Sequence, residues 1–151
     1  MKRGFTLLEL LAVIAIIGVI ATFALVSLQT ARRRARDTAR EANIQTIKKA
    51  LELHFNSEGS YPGAGVSNDC QGNGSFANTL QPLVDKNFIN AIPRDPFSPT
   101  NAHPLCFYYL IDSSCGTGDN THPYALVFGT ETLNLQLPSW SNEPRRYCVY
   151  P

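Results

Sequence analysis

The chain has 151 residues, with 13 Lys and Arg against 12 Asp and Glu and a formal net charge of +1. Its four cysteines include no C-x-x-C pair, and no G-x-S-x-G, P-loop or H-E-x-x-H pattern occurs. Finger-type zinc spacing, phosphate-loop chemistry and the common hydrolase signatures are therefore excluded.

Two basic residues, Lys2 and Arg3, open the chain, and a nearly unbroken apolar run to Leu28 follows. Residues 10–28 hold no charge, and only Thr22 and Ser27 are weakly polar. As a helix they extend about 28 Å, close to the ~30 Å hydrocarbon core of a bilayer. The segment is apolar all round, which suits lipid or the interior of an assembly rather than a soluble surface. Lys2 and Arg3 favour a cytoplasmic N-terminus, although Arg32, Arg33, Arg34 and Arg36 beyond the segment weaken that bias. A secretory signal would be shorter and end in a small-residue site. A plain anchor leaves Glu9 unexplained, unless it snorkels to the head groups, because an ionisable group inside a span is costly.

Gly4-Phe5-Thr6-Leu7-Leu8-Glu9-Leu10 resembles the processing and assembly signal of type IV filament subunits, the type IV pilins and the pseudopilins of type II secretion. The resemblance implies that prepilin peptidase cuts between Gly4 and Phe5 and methylates the new amine of Phe5. Gly4 lets the backbone enter a tight active site in extended form. Cutting leaves 11 basic against 12 acidic side chains and turns the net charge from +1 to −1. It also places an amine one helical turn from Glu9, on the same face. The family resemblance implies that the Glu9 carboxylate neutralises the amine of a neighbouring subunit during assembly. Many members carry a proline near the position of Val26; here the first proline is Pro62, and Gly18 is the one internal residue expected to loosen the helix.

Residues 29–55 contain neither Pro nor Gly and are rich in helix formers. Ile44, Ile47, Leu51 and Phe55 mark one buried stripe. Arg33 with Asp37, and Lys48 with Glu52, read as i, i+4 pairs on the wet face. The helix is expected to stop at residues 57–62. The arginine run at 32–36 reads as a contact with lipid head groups or neighbouring acidic side chains, and nucleic acid is not expected as a partner.

Residues 57–75, with five glycines, read as a loop. A short helix is expected over 76–88, with Leu80, Leu83 and Val84 inward and Pro82 inside it. Residues 89–99 read as extended. Strands are expected at 106–111, 124–130 and 146–150. The pattern running from Ser60-Tyr61-Pro62 to Ile92-Pro93-Arg94-Asp95-Pro96-Phe97 resembles the connecting segment of the major pseudopilin and its pilin relatives. The expected fold is α+β: a lollipop of one long N-terminal helix, transmembrane in its front half, packed on a small antiparallel sheet. The expected divisions are a leader at 1–4, a transmembrane and assembly helix at 5–28, its amphipathic half at 29–56 and a globular head at 57–151.

Cys70, Cys106, Cys115 and Cys148 all fall in the head, and their even number beside a membrane signal favours extracytoplasmic disulfides. In an antiparallel meander Cys115 follows the first strand and Cys148 sits late in the third, at one edge. That leaves Cys70 with Cys106. Zinc on these cysteines, with His54, His103 and His122 as extra ligands, is the rival reading, and Asp112, Asp119, Asn120 and Thr121 could build a calcium loop; neither has matching spacing, so no metal and no cofactor is expected.

The reading is a structural subunit of a type IV pilus or secretion pseudopilus, not an enzyme. Its partners are its own copies, prepilin peptidase, the inner-membrane assembly platform and, before assembly, membrane lipid. It starts as a single-pass inner-membrane protein with its head outside the cytoplasm. The alternative is a minor or tip pilin, or a tethered binding module that holds a ligand through Tyr108, Tyr109, Tyr124, Trp140 and Tyr150.

Overall fold

The computed structural model describes residues 7–68, 74–96, 105–111, 122–132 and 146–151. The elements, in chain order, are α1 (Leu7–Glu58), β1 (Val66–Asn68), α2 (Ser75–Asp85), β2 (Tyr108–Ile111), β3 (Tyr124–Gly129) and β4 (Arg146–Val149). The class is α+β, a long N-terminal helix followed by a small antiparallel sheet of order β1-β2-β3-β4. Two compact units are distinguished, residues 1–35 and 36–151, with the boundary inside α1.

α1 is helical without a break through Gly18 and Val26. One glycine costs only about 1 kcal/mol relative to alanine, too little to interrupt a run of Ala, Leu and Ile. The helix stops where expected. Gly59 takes φ 72° and its N–H donates to Phe55 O at 2.8 Å. This left-handed residue, with its single bond back to the last turn, satisfies a carbonyl that would otherwise be orphaned.

Within the second unit α1 buries Asp37, Arg40, Ile44, Ile47, Ala50, Leu51 and His54. Apart from Ala50 these recur at alternating spacings of three and four, one face of a 3.6-residue helix. The expected stripe holds at Ile44, Ile47 and Leu51 but not at Phe55, which is 42% exposed. His54, three residues past Leu51, takes the inward position. Phe55 instead stacks on Tyr61, ring centroids 4.8 Å apart.

α2 ends at Asp85, three residues before the expected limit. Asn87 turns left-handed at φ 60°. Asn87 N–H donates to Val84 O and Phe88 N–H to Leu83 O, both at 2.9 Å, the paired closure of a Schellman end. Phe76, Leu80 and Leu83 are its buried face; Val84 is only half-buried.

The three expected strands are present, each somewhat shorter than expected, and a fourth lies where a plain loop was expected. β1 pairs with β2 in the register Val66↔Leu110, Ser67↔Tyr109, Asn68↔Tyr108. Gly63, at φ 82°, makes this possible: a Cβ there would overlap Thr79 Cγ2 of α2. The loop is held by Tyr109 Oη donating to Pro62 O at 3.0 Å. The strand was hidden because three residues in a glycine-rich tract carry no usable period.

Alternation along β2 sorts its side chains. Phe107 and Tyr109 join Ile44, Ile47, Leu51, Phe76, Leu80, Leu83, Tyr124, Leu126 and Phe128 in the main core. Leu110 joins Ala125, Val127 and Cys148 on the other face, with Tyr108 and Tyr150 partly buried against them. All six residues of β3 are buried, so both faces of the sheet are covered at its centre.

Candidate functional site

Fourteen large apolar side chains from Leu7 to Leu28 are exposed, from Leu7 at 81% to Val13 at 45%. The hydroxyls in this stretch are satisfied locally: Thr22 donates to Val19 O at 2.7 Å and Thr30 to Val26 O at 3.2 Å. The helix is long and apolar enough to cross a membrane. Burying one such side chain contributes roughly 1.5–3 kcal/mol, so the uncovered surface amounts to a gross driving force of roughly 20–40 kcal/mol toward lipid or other helices. Glu9 stands on α1 at the start of this surface and is itself exposed. Gly4 and Phe5 lie outside the described residues.

The second unit carries a charge network that the sequence pattern did not announce. Arg40 is wholly buried. Its Nε and Nη2 donate to the two carboxylate oxygens of Asp95, at 2.7 and 3.1 Å, and its Nη1 donates to Asp37 at 2.8 Å and Glu131 at 3.2 Å. Arg36 makes a second fork to Glu131, at 2.6 and 2.5 Å. Asp37 also accepts from the backbone N–H groups of Glu131 and Thr132, each at 2.8 Å, and from the Thr132 hydroxyl. The carboxylates thus tie the chain just past β3, and the segment at Asp95, to one face of α1.

Both expected surface pairs are replaced by these and similar contacts. Asp37 is buried and turned to Arg40 and residues 131–132, so the pairing with Arg33 is corrected. Lys48 donates to Tyr150 O at 2.7 Å, and Glu52 accepts from Tyr124 Oη at 2.7 Å. In each case a tertiary partner offered a drier, better fixed bond than the exposed i, i+4 alternative, whose worth is only a few tenths of a kcal/mol. Burial, with the hydrogen bond to Glu52 second, pushes the Tyr124 phenol far above its ordinary range.

The fork from Arg36 holds the Glu131 carboxyl below its ordinary value of 4.5, with Arg40 adding to the effect and burial opposing it. A carboxylate with a depressed folded value contributes stability that is full above the unfolded value and is lost as pH falls through the folded one. Head stability is therefore expected to decline below about pH 4.5. Glu131→Gln should be less stable at pH 7 and flatten that acid branch. Thermal melts of the two proteins between pH 7 and pH 2 check it; parallel curves would contradict it.

The remaining candidates are distributed as follows. Tyr109 and Tyr124 are fully buried in the core, so they are unavailable to a ligand; Tyr108 and Tyr150 are half-buried, and Trp140 lies outside the described residues. His54 bonds Ser60 O through Nδ1 at 2.9 Å, and His122 stacks on Tyr150 with centroids 4.1 Å apart. Among the described residues no group of His, Cys, Asp or Glu is arranged to hold a metal. His103 and the candidate calcium residues Asp112, Asp119, Asn120 and Thr121 fall outside them.

Cys106 and Cys148 are each disulfide-bonded; Cys70 and Cys115 are outside the described residues. Cys148 pairs with Val127, which pairs with Tyr108. It therefore lies level with the start of β2, not with its end as the edge argument supposed. β4 runs parallel to β2, as the meander supposes, but it starts opposite Gly129, at the far end of β3 from Tyr124 and Ile111, so Cys148 stops short of the edge where β2 ends. Strands on either side of a third are about 9–10 Å apart, beyond the usual 4.4–6.8 Å between bridged Cα atoms, so these two cysteines are not bonded to each other.

Residues 1–25 match the family model described as the prokaryotic N-terminal methylation motif. This start of the chain is a prepilin signal of the type IV pilin and pseudopilin kind. Comparison with the curated proteins and with the solved structures finds no match to the chain.

Proposed function

We propose that the chain is a structural subunit of a type IV filament, a pilus or a secretion pseudopilus. It is cut between Gly4 and Phe5, methylated on Phe5 and polymerised through its N-terminal helix. The observation that carries the reading is the conjunction of the methylation motif at residues 1–25 with a helix whose apolar side chains, from Leu7 to Leu28, nothing in the subunit covers among the described residues. Before assembly residues 5–28 span the inner membrane with the head outside the cytoplasm. Prepilin peptidase and the assembly platform are then the partners that act on the subunit, followed by its own copies. No catalytic role is proposed.

Glu9 is the assembly residue in this reading. Cleavage creates a cationic amine on Phe5, and a carboxylate in low dielectric recovers its desolvation cost only with a well-placed opposite charge. A neighbour's amine provides one. N-terminal mass analysis of the chain from membranes or filaments should find Phe5 methylated as the first residue. An intact Met1, or a start near Leu25, would sink the reading. Glu9→Leu should insert and fold yet stay out of filaments seen by electron microscopy; normal filament yield would mean that Glu9 only snorkels.

Disulfides between Cys70 and Cys106, and between Cys115 and Cys148, belong to the same proposal. Cys70 and Cys106 are each two residues from the paired Asn68 and Tyr108. Opposed Cα atoms on adjacent strands are about 4.5–5.5 Å apart, within disulfide range. Non-reducing peptide mapping is expected to recover these two links, and loss of either to cost about 2–5 kcal/mol. A link from Cys106 to Cys115 would contradict the assignment.

A further inference from the structure

The charge network sits where α1 enters the head. Every side chain of α1 from Leu7 to Ala35 is exposed, Arg36 is half-buried and Asp37 is the first that is buried. Arg40 follows, and only then the apolar Ile44, Ile47 and Leu51. The first turn of α1 to meet the head is therefore held by charge, and the later turns by apolar contact. Two separate stretches of the head grip that turn. Asp95 takes the fork of Arg40, while Glu131 takes the fork of Arg36 and, with Thr132, donates backbone N–H groups to Asp37.

We propose that Arg36, Asp37 and Arg40 form an axial lock, which fixes the register of α1 on the head and passes a pull along the helix into the head before it reaches the apolar core. The inference rests on the reading that subunits join through their N-terminal helices, so that load between a head and its neighbours runs along α1. No Gly or Pro lies between residues 19 and 58 to soften the helix on the way.

Apolar contact alone would lock the register poorly, because it is non-directional. A pull toward the N-terminus that moves α1 by one turn, about 5.4 Å, brings Ile47 near the seat of Ile44 and Leu51 near that of Ile47. The charged turn does not tolerate the same slip. It carries Arg40 to the seat of Asp37, a cation against the N–H groups of Glu131 and Thr132, and it sets Ile44 against the Asp95 carboxylate. The bonds of the network span 2.5–3.2 Å and are lost by about 3.6 Å, so resistance begins within the first ångström of movement. A buried ion network adds little to equilibrium stability over apolar residues of the same volume, and register is its best-attested use.

The test uses the full chain in detergent, with one handle on the exposed Gln29 and one on the exposed Gln81 of α2, held at constant force in magnetic tweezers. The lifetime of α1 on the head is read for the D37N/E131Q variant and for the core variant Ile47→Val, each at the urea concentration that gives both the same unfolding free energy. The lock variant should detach at least about ten-fold faster, the worth of one hydrogen bond to a charged group that breaks on the way out. Arg36→Gln, at a half-buried position outside the core, should show a smaller difference of the same sign, and it decides the matter if the double variant does not fold. Equal lifetimes at equal stability, or a longer one for the lock variants, would overturn the lock and leave the network an ordinary contributor to stability. The lifetimes are read on single subunits, so failure of the lock is distinct from failure of the filament reading, which the N-terminal mass analysis decides.

Discussion

Replacing Arg40 with methionine is expected to destabilise the head by about 3–5 kcal/mol. The guanidinium is wholly buried and serves Asp95, Asp37 and Glu131 at once. Without it Asp95 and Asp37, themselves 8% and 3% exposed, remain in the interior facing each other's charge. Removing one partner of a buried network costs far more than the network contributes over an apolar replacement, because the orphaned charge stays behind. The companion expectation follows from that asymmetry. Arg40→Met combined with Asp37→Asn and Asp95→Asn should recover a large part of the loss. Arg40→Lys should fall between, since one ammonium cannot reproduce the fork to Asp95. Urea unfolding of the full chain in mild detergent, followed by near-UV circular dichroism, measures all three. A loss below about 1 kcal/mol for Arg40→Met, the range of an exposed ion pair, would show that water reaches the carboxylates.

The same network marks the limit of what the sequence discloses. Features set by local spacing were legible: the apolar segment, the stop at Gly59, the stripe at Ile44, Ile47 and Leu51, and the three longer strands. Asp37 and Arg40 lie on that stripe, continued toward the N-terminus at the same spacings. Charges on an otherwise apolar face are the signal that could have revealed a buried cluster. Their partners were not legible, since Asp95 and Glu131 are 55 and 91 residues from Arg40 in the chain. The surface pairs Arg33–Asp37 and Lys48–Glu52 failed for the same reason: a helix makes such pairs available, and tertiary geometry decides whether they are used. Phe55 and His54 show the smaller ambiguity of a 3.6-residue period, in which the fourth and third positions past Leu51 are both plausible. The candidate site was legible in its N-terminal motif, because residue type, spacing and position combine there within ten residues.

A chain beginning at Gln29 is expected to be a soluble, folded and mostly monomeric protein. Among the described residues the first buried side chain on α1 is that of Asp37, and the core draws nothing from before it. Deleting residues 1–28 therefore removes no described core contact, and the unfolding free energy measured in urea should stay within about 0.5 kcal/mol, as is typical of changes away from the core. What is removed is the exposed apolar surface, whose gross burial value of roughly 20–40 kcal/mol exceeds what polar head contacts supply. Membrane association and self-assembly should both disappear. Size-exclusion chromatography with light scattering checks the state of association, and flotation with vesicles checks the membrane. If the shortened chain builds filaments unaided, the heads carry assembly and the role proposed for the N-terminal helix is wrong. If it is monomeric but unfolded, residues 7–28 support the head through contacts that the packing of α1 does not reveal.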